Sequence, residues 1–251
     1  MIPFFLMPAS FQKRIAEERE RARERRLAIC KPWDGTWAEE LNVVASSYPI
    51  PIDLFPAVPP DVHASSPSGR FRYTKRTLPR GTKLDVSRGS KRGAVLFDGP
   101  VAIPVLEEAP KWGVEWNVWM SLAPMEVLTL ACGTRFAKGH TVVGGLGLGW
   151  QLREVSRRRQ VKRITLIERE KELIDWLYPR IAPLLGPAPV EVVCGTVEKV
   201  LPKLEADVAL IDTFDSYGNN GEDLNRLRRS APSIRGWWGW GTAAIGEREE
   251  W

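Results

Sequence analysis

Gly144, Gly145, Gly147 and Gly149 follow directly on the apolar run Thr141-Val142-Val143. Glu168 closes a second β-branched run, Arg163 to Ile167, about twenty residues after the glycines. Closely spaced glycines after a buried strand let the backbone turn tightly, and they let a ligand approach atoms that a Cβ would shield. An acid ending the next strand accepts hydrogen bonds from ribose hydroxyls. The set therefore suits nucleoside binding. Two further acids, Asp212 and Asp215, follow the run Val208 to Ile211 in the spacing D-x-x-D. Acids at the carboxyl end of a parallel strand sit beside the ligand crevice of an open α/β sheet. A general base there must first reach its proton, and only then does its pKa matter.

Spacing separates the nucleotide classes. A dinucleotide fingerprint needs G-x-G-x-x-G, because its third glycine lets the helix pack closely on the strand. Gly145, Gly147 and Gly149 give G-x-G-x-G instead, with Gly144 in front. A glycine-rich turn with no ligand is the competing reading. At these residues the sequence resembles the class I S-adenosylmethionine-dependent methyltransferases, and within them the spermidine-synthase-like branch, whose first loop is also doubled at Gly-Gly. Short glycine-loop proteins of this type encoded by bacteriophages look similar, which implies a viral source.

The resemblance implies S-adenosylmethionine as cofactor, or its decarboxylated form as the alternative. Gly144, Gly145, Leu146, Gly147 and Gly149 would approach its amino-acid and ribose portions, Glu168 would hold the ribose hydroxyls, and Arg169 would be a further cofactor-binding residue. The family often places an acid for the adenine amino group where this chain has Thr196, leaving backbone groups of Thr196 and Val197 for that task. Asp212 and Thr213 would face the methionine end. Asp212 and Asp215 resemble the acid pair that holds and deprotonates an amine in aminopropyltransferases, which makes Asp215 the expected catalytic residue. The family's following proline is replaced by Ser216.

Four strands and the helices between them must position these residues. The strand ending at Gly144 is expected to lead into a helix over 151–160, then the strand ending at Glu168, then a helix over 171–181 with Leu173, Ile174, Trp176, Leu177 and Ile181 at helical spacing. Val190 to Thr196 reads as a third strand, Val197 to Leu204 as a helix, and Asp207 to Asp212 as a fourth strand. Ile234 to Thr242, with Trp237, Trp238 and Trp240, reads either as a fifth strand or as a substrate wall. The expected fold is α/β: a Rossmann-like methyltransferase sheet with helices on both faces, shortened at the C-terminus.

Ahead of it, 1–31 is expected to be a charged helical arm, with Ser10 as its cap and pairs such as Glu17–Arg21. Residues 32–69 form a proline-rich connector pinned through Ile50, Ile52, Leu54 and Phe55. Residues 70–112 form a basic β-hairpin region, and 113–251 the S-adenosylmethionine-binding domain. Between Arg70 and Arg92 nine cations stand against Asp85 alone, a pattern suited to nucleic-acid phosphates or to a solvated strand face. Gly93 to Val105 reads as a hairpin about Asp98-Gly99, an arrangement that also resembles spermidine-synthase-like domains. Trp112, Trp116 and Trp119 suit core packing, with a stacking wall as alternative. Pro124 opens a helix with Met125, Val127, Leu128 and Leu130 on its apolar face.

Composition bounds the function. The 251 residues carry a formal net charge of +5 and three widely spaced cysteines, Cys30, Cys132 and Cys194. With two histidines and no C-x-x-C, no metal site is expected, and free thiols fit the cytoplasm. No stretch reaches membrane-spanning length. No D-P-P-Y-like tetrapeptide and no Pro-Cys pair occurs, which disfavours base methylation by those routes. The leading expectation is S-adenosylmethionine-dependent methyl transfer to an unknown acceptor. Its rivals are aminopropyl transfer and a non-catalytic nucleic-acid-binding or assembly protein; a homo-oligomer that completes the sheet fits each.

Overall fold

A computed structural model describes residues 13–18, 20–21, 31–32, 42–45, 48, 50–88, 91–214 and 220–242. Asp215 and Ser216 lie outside the described residues. The described part of the arm is helical over 13–18 and 20–21 (α1), where Glu17 pairs with Lys13 at 4.0 Å and with Arg21 at 3.6 Å, all three exposed.

Eight strands follow: β1 (Lys31–Pro32), β2 (Asn42–Ala45), β3 (His63–Ser65), β4 (Phe71–Leu78), β5 (Lys83–Arg88), β6 (Lys91–Phe97), β7 (Val101–Glu108) and β8 (Asn117–Ser121). They form two four-stranded sheets, β1-β2-β6-β5 and β3-β4-β7-β8. The expected hairpin about Asp98-Gly99 is not formed, because that turn passes the chain from one sheet to the other. β6 pairs with β5 and β2, while β7 pairs with β4 over eight residues, Phe71↔Glu108 to Leu78↔Val101. The longer ladder wins over the nearer partner, and the true hairpin is β5–β6.

That ladder also supplies partners for the basic stretch. β7 brings Glu107 opposite Arg72 and Glu108 opposite Phe71. Arg70 bonds Glu108 at 2.6 Å and Glu170 at 2.7 Å; Arg72 bonds Glu107 at 2.7 Å, and Arg76 bonds the same carboxylate. Lys75 reaches Asp53 at 2.8 Å, while Lys83 and Arg80 meet Asp85 and Glu20. Much of the local positive charge is thus cancelled by acids distant in sequence.

The rest is a five-stranded parallel sheet. After α2 (Pro124–Thr134) come β9 (Gly139–Gly144), α3 (Trp150–Ser156), β10 (Val161–Glu168), α4 (Lys171–Ile181), β11 (Val190–Cys194), α5 (Val197–Val200), β12 (Ala206–Ile211), α6 (Gly221–Ser230) and β13 (Ile234–Gly239). The order is β11-β10-β9-β12-β13, every pair parallel, which is a Rossmann-like arrangement. Alternation along the strands divides the core in two. Val143, Leu166, Leu210 and Trp238 pack with Leu130 of α2, Leu152 of α3 and Leu173 and Leu177 of α4. Val142, Ile167, Ile211 and Trp237 pack with Val197 of α5 and Leu224 and Leu227 of α6. Helices therefore cover both faces, and 234–239 forms the fifth strand.

The first of these cores also contains Ile52, Leu54, Phe71, Tyr73 and Leu106, so the connector and β4–β7 pack on the same helices as the parallel sheet. The tryptophans divide differently from expectation. Trp112 is 93 % exposed, because it sits in the bend between β7 and β8 with no surface to meet. Trp116 lies under the Arg72 guanidinium at 4.1 Å, and Trp119 packs edge-on against Phe71 at 5.4 Å. No helix among the described residues is long and apolar enough to cross a membrane.

Glu107 is 1 % exposed and holds two arginines, so removing it unpairs both Arg72 and Arg76, whereas removing Arg76, 47 % exposed, leaves Glu107 paired with Arg72. Glu107→Ala is expected to cost about 2–4 kcal/mol in urea unfolding and Arg76→Ala under about 1 kcal/mol. The reverse ranking would show that the pair is not what joins β4 to β7.

Candidate functional site

β9 is the point at which the sheet reverses direction, with β10 on one side and β12 on the other. Ligands of open α/β sheets bind outside the carboxyl ends at such a point. Here the backbone draws four of the expected elements together. Gly145 N donates to Ile167 O at 2.8 Å, Asp212 N donates to Gly144 O at 2.9 Å, and Gly195 N donates to Glu168 O at 2.9 Å. The glycine loop, Glu168, Thr196 and Asp212 therefore share one edge.

Within 141–150 only Gly145 and Gly147 keep partial exposure; Gly144, Leu146 and Gly149 are buried with the strand. Gly145 has φ 99° and a Cβ there would stand 2.5 Å from Asp212 O, so any other residue would push β12 away. Glu168 is 5 % exposed. Its Oε2 accepts from Leu146 N at 2.8 Å and its Oε1 accepts from Glu170 N at 2.9 Å. A carboxylate has about four acceptor directions, so each oxygen retains one after these bonds. Glu168 thus fixes the loop and still has acceptor capacity for a hydroxyl.

Arg169 points away from that carboxylate; its guanidinium lies 5.2 Å from the Trp119 ring centre and 3.4 Å from Glu170. Thr196 is the residue before α5, and its carbonyl accepts from Lys199 N and Val200 N at 3.1 Å. Val197 is buried in the second core, its Cγ1 3.0 Å from where a Gly144 Cβ would be. Thr213 is exposed beside Asp212.

Three residues that sequence reasoning passed over complete the site. Met120, at the end of β8, covers the loop: a Cβ on Gly147 would fall 2.1 Å from its sulfur, and Leu148 N points at the same atom from 2.8 Å. Ser121 donates through its N at 2.9 Å and its Oγ at 2.5 Å to Glu126 Oε2 in the first turn of α2. Burial pushes the Glu126 carboxyl up to about 7 against these bonds. Burial, with the charge of Glu126 as second cause, pushes Asp212 up to about 7 as well. Glu126 also acts on Tyr48, raised above its usual range first by burial; the phenol donates to Leu122 O at 2.5 Å. The carboxyl edge thus holds two acids raised toward neutrality by burial, with the charge of Glu126 adding to the rise of Asp212. In sequence Glu126 is a routine first-turn acid, and nothing local marks its neighbour across the sheet.

No protein-family model matches the chain, and no curated protein matches it in sequence. Among solved structures it is similar to precorrin 8W decarboxylase of Methanobacterium thermoautotrophicum, at 23% identity and TM-score 0.31 over 42% of this chain and 57% of that one. It is also similar to a spermidine synthase bound to the transition-state analogue AdoDATO, at 16% identity and TM-score 0.36 over 68% of this chain and 58% of that one. Spermidine synthase of Thermotoga maritima gives 17% identity and TM-score 0.36 over 67% and 59%. The chain spans 57, 58 and 59% of the lengths of these three proteins.

A carboxyl whose folded pKa is raised lends stability that is present below its unfolded pKa and is lost as pH rises through the folded value. For Asp212 that window runs from 3.8 to about 7. Asp212→Asn should therefore leave stability unchanged near the bottom of the window. Above neutral pH it should raise stability by about 1–3 kcal/mol, read from denaturant midpoints across pH. A variant no more stable at alkaline pH would mean that Asp212 ionises freely.

Proposed function

We propose that this chain transfers a group from an adenosyl sulfonium to an amine, with aminopropyl transfer from decarboxylated S-adenosylmethionine as the first reading. The observation that carries it is the placement of Asp212 and Glu126 at the carboxyl edge that also holds Gly145, Gly147 and Glu168. Gly145 and Gly147, the open positions of the loop, would take the ribose and the chain beyond it, and Glu168 would accept from the ribose hydroxyls through its remaining lone pairs. Thr196 and Val197 would bound the adenine, and Thr213 would lie beside the sulfonium arm. When bound, the sulfonium supplies an electrophilic carbon whose bond to sulfur breaks as the amine lone pair bonds to it, leaving a neutral thioether.

The protein's own part is alignment and proton removal. Amines reach the site as ammonium ions, and their lone pair is available only after a proton leaves. Asp212 and Glu126, poised near neutrality, suit that transfer, since a base works best with a pKa near the working pH. Two carboxyl groups also attract a cationic acceptor and repel the carboxylate of an amino-acid tail, which favours the decarboxylated donor. The cations of β4, which would oppose a polyamine, are paired with Glu107, Glu108, Glu170 and Asp53.

Methyl transfer from S-adenosylmethionine is the second reading. A Glu126 carboxyl at about 7 is close to half protonated at neutral pH, and its neutral form tolerates the donor's carboxylate.

Calorimetric titration with decarboxylated S-adenosylmethionine, S-adenosylmethionine, S-adenosylhomocysteine and NAD separates these readings. Preference for the decarboxylated form is expected, and Glu168→Ala should weaken it by about 1.5–3 kcal/mol, the cost of a lost charge-assisted hydrogen bond. Tight binding of S-adenosylmethionine and S-adenosylhomocysteine instead would assign methyl transfer, and binding of none would overturn both.

A further inference from the structure

The opposite edge of the same sheet has the opposite electrostatic character. The loop after α2 carries Arg135, Phe136 and Lys138, and the turn from α3 to β10 carries Arg157, Arg158, Arg159, Lys162 and Arg163. These two segments are held together. Arg158 donates to Arg135 O at 2.8 Å and to Ala137 O at 3.2 Å, Gly139 N donates to Gln160 O at 2.7 Å, and His140 stands in register with Arg163. Arg135, Lys138, Arg157, Arg159, Lys162 and Arg163 are all exposed. None of them forms an ion pair with a described carboxylate; the bonds that Arg157 and Arg158 make to carbonyls leave their charge uncompensated. This is the reverse of the β4 stretch, where each of the four cations Arg70, Arg72, Lys75 and Arg76 is matched. Of the acids at this edge, Asp207 is engaged by Arg235 at 2.9 Å and by His140 N at 2.8 Å, while Glu205 is exposed.

Beside the cations lies a cavity of about 260 Å³ between the amino ends of β12 and β13, walled by Phe136, Val208 and Trp237 and rimmed by Lys138, Asp207 and Arg235. Flat apolar walls with a cationic and carboxylate rim suit a planar heterocycle with polar edges. The cavity is roomy for a single nucleobase, and Phe136 and Lys138 of its lining belong to the loop that Arg158 ties to the turn carrying the other cations.

We propose that this edge binds single-stranded nucleic acid, with Arg135, Arg157, Arg159, Lys162 and Arg163 following the phosphates and the cavity between Phe136 and Trp237 receiving one unpaired base. Paired bases are not available for insertion, so the cavity favours a single strand over a duplex. An anionic membrane is the lesser fit. Surface binding needs several apolar side chains among the cations; of the large exposed apolar residues described, Val62, Trp112, Val114 and Val118 belong to the other sheet and its loops, and Phe136 alone lies among these cations. The surface is independent of the crevice at the carboxyl edge and stands whether or not that crevice binds a sulfonium.

The test is fluorescence anisotropy on the full chain with labelled single-stranded RNA, single-stranded DNA of the same sequence, the duplex, and phosphatidylserine vesicles, each over a salt series. Single strands should bind more tightly than the duplex, with log K falling against log salt by about 0.7 per phosphate contacted. The combination Arg157→Glu, Arg159→Glu and Arg163→Glu should cost at least tenfold and flatten that slope by about two. Phe136→Ala should weaken the single strand by about tenfold and leave the slope unchanged. All four side chains are exposed, and an unchanged Tm confirms folding of each variant; Arg158, which ties the two segments, is left intact. Equal binding of single strand and duplex, no effect of either variant, or binding to vesicles alone would overturn the proposal. RNA against DNA then identifies the strand.

Discussion

Everything at both edges of the parallel sheet depends on β9 being paired on each side. Its ladder to β10 and its ladder to β12 run in the same direction, so the chain must leave it toward one face through α3 and return beside it from the other through α5. That divergence leaves the carboxyl ends unobstructed by crossing loops. It also sets Gly144 against Asp212 and Ile167 against Gly145 through backbone bonds alone, before any side chain acts. The alternation Val142/Val143 on this strand feeds the two cores in turn, so the strand that shapes the crevice also joins the layers.

The sheet is polarised. At one edge Glu126 and Asp212 lose solvent and hold their protons more tightly, whereas at the other six exposed cations face water without an ion pair to a described acid. Within the β3-β4-β7-β8 sheet and its contact with α4, by contrast, Glu107 and Glu170 take up arginines.

Much of the parallel sheet was legible because its signals are local. The β-branched runs ending at Gly144, Glu168, Cys194 and Ile211 each became a strand, and the glycines marked the loop. What failed depends on partners far along the chain. The Asp98-Gly99 turn has hairpin chemistry, yet β6 and β7 each found a better ladder, and no local rule ranks those choices. Counting charges from Arg70 to Arg92 missed Glu107, Glu108 and Glu170 for the same reason. Glu126 and Met120 stayed hidden because their importance comes from what the fold sets opposite them. The cations of 157–163 were plain in sequence, and only the ladder to β9 joins them to Arg135 and Lys138.

Met120 has a kinetic meaning. The open glycine of the loop is roofed by one unbranched side chain, while the backbone of β8 stays hydrogen-bonded to β7 at Leu106↔Met120. Uncovering Gly147 therefore asks for rotations about the bonds of a thioether, events of picoseconds to nanoseconds in accessible side chains, with no strand unzipped and no domain swung aside. The loop behaves as a latched port whose latch is softer than its frame. Arrival of a molecule there is governed by diffusion and desolvation, while the scaffold beneath stays as rigid as the sheet that carries it.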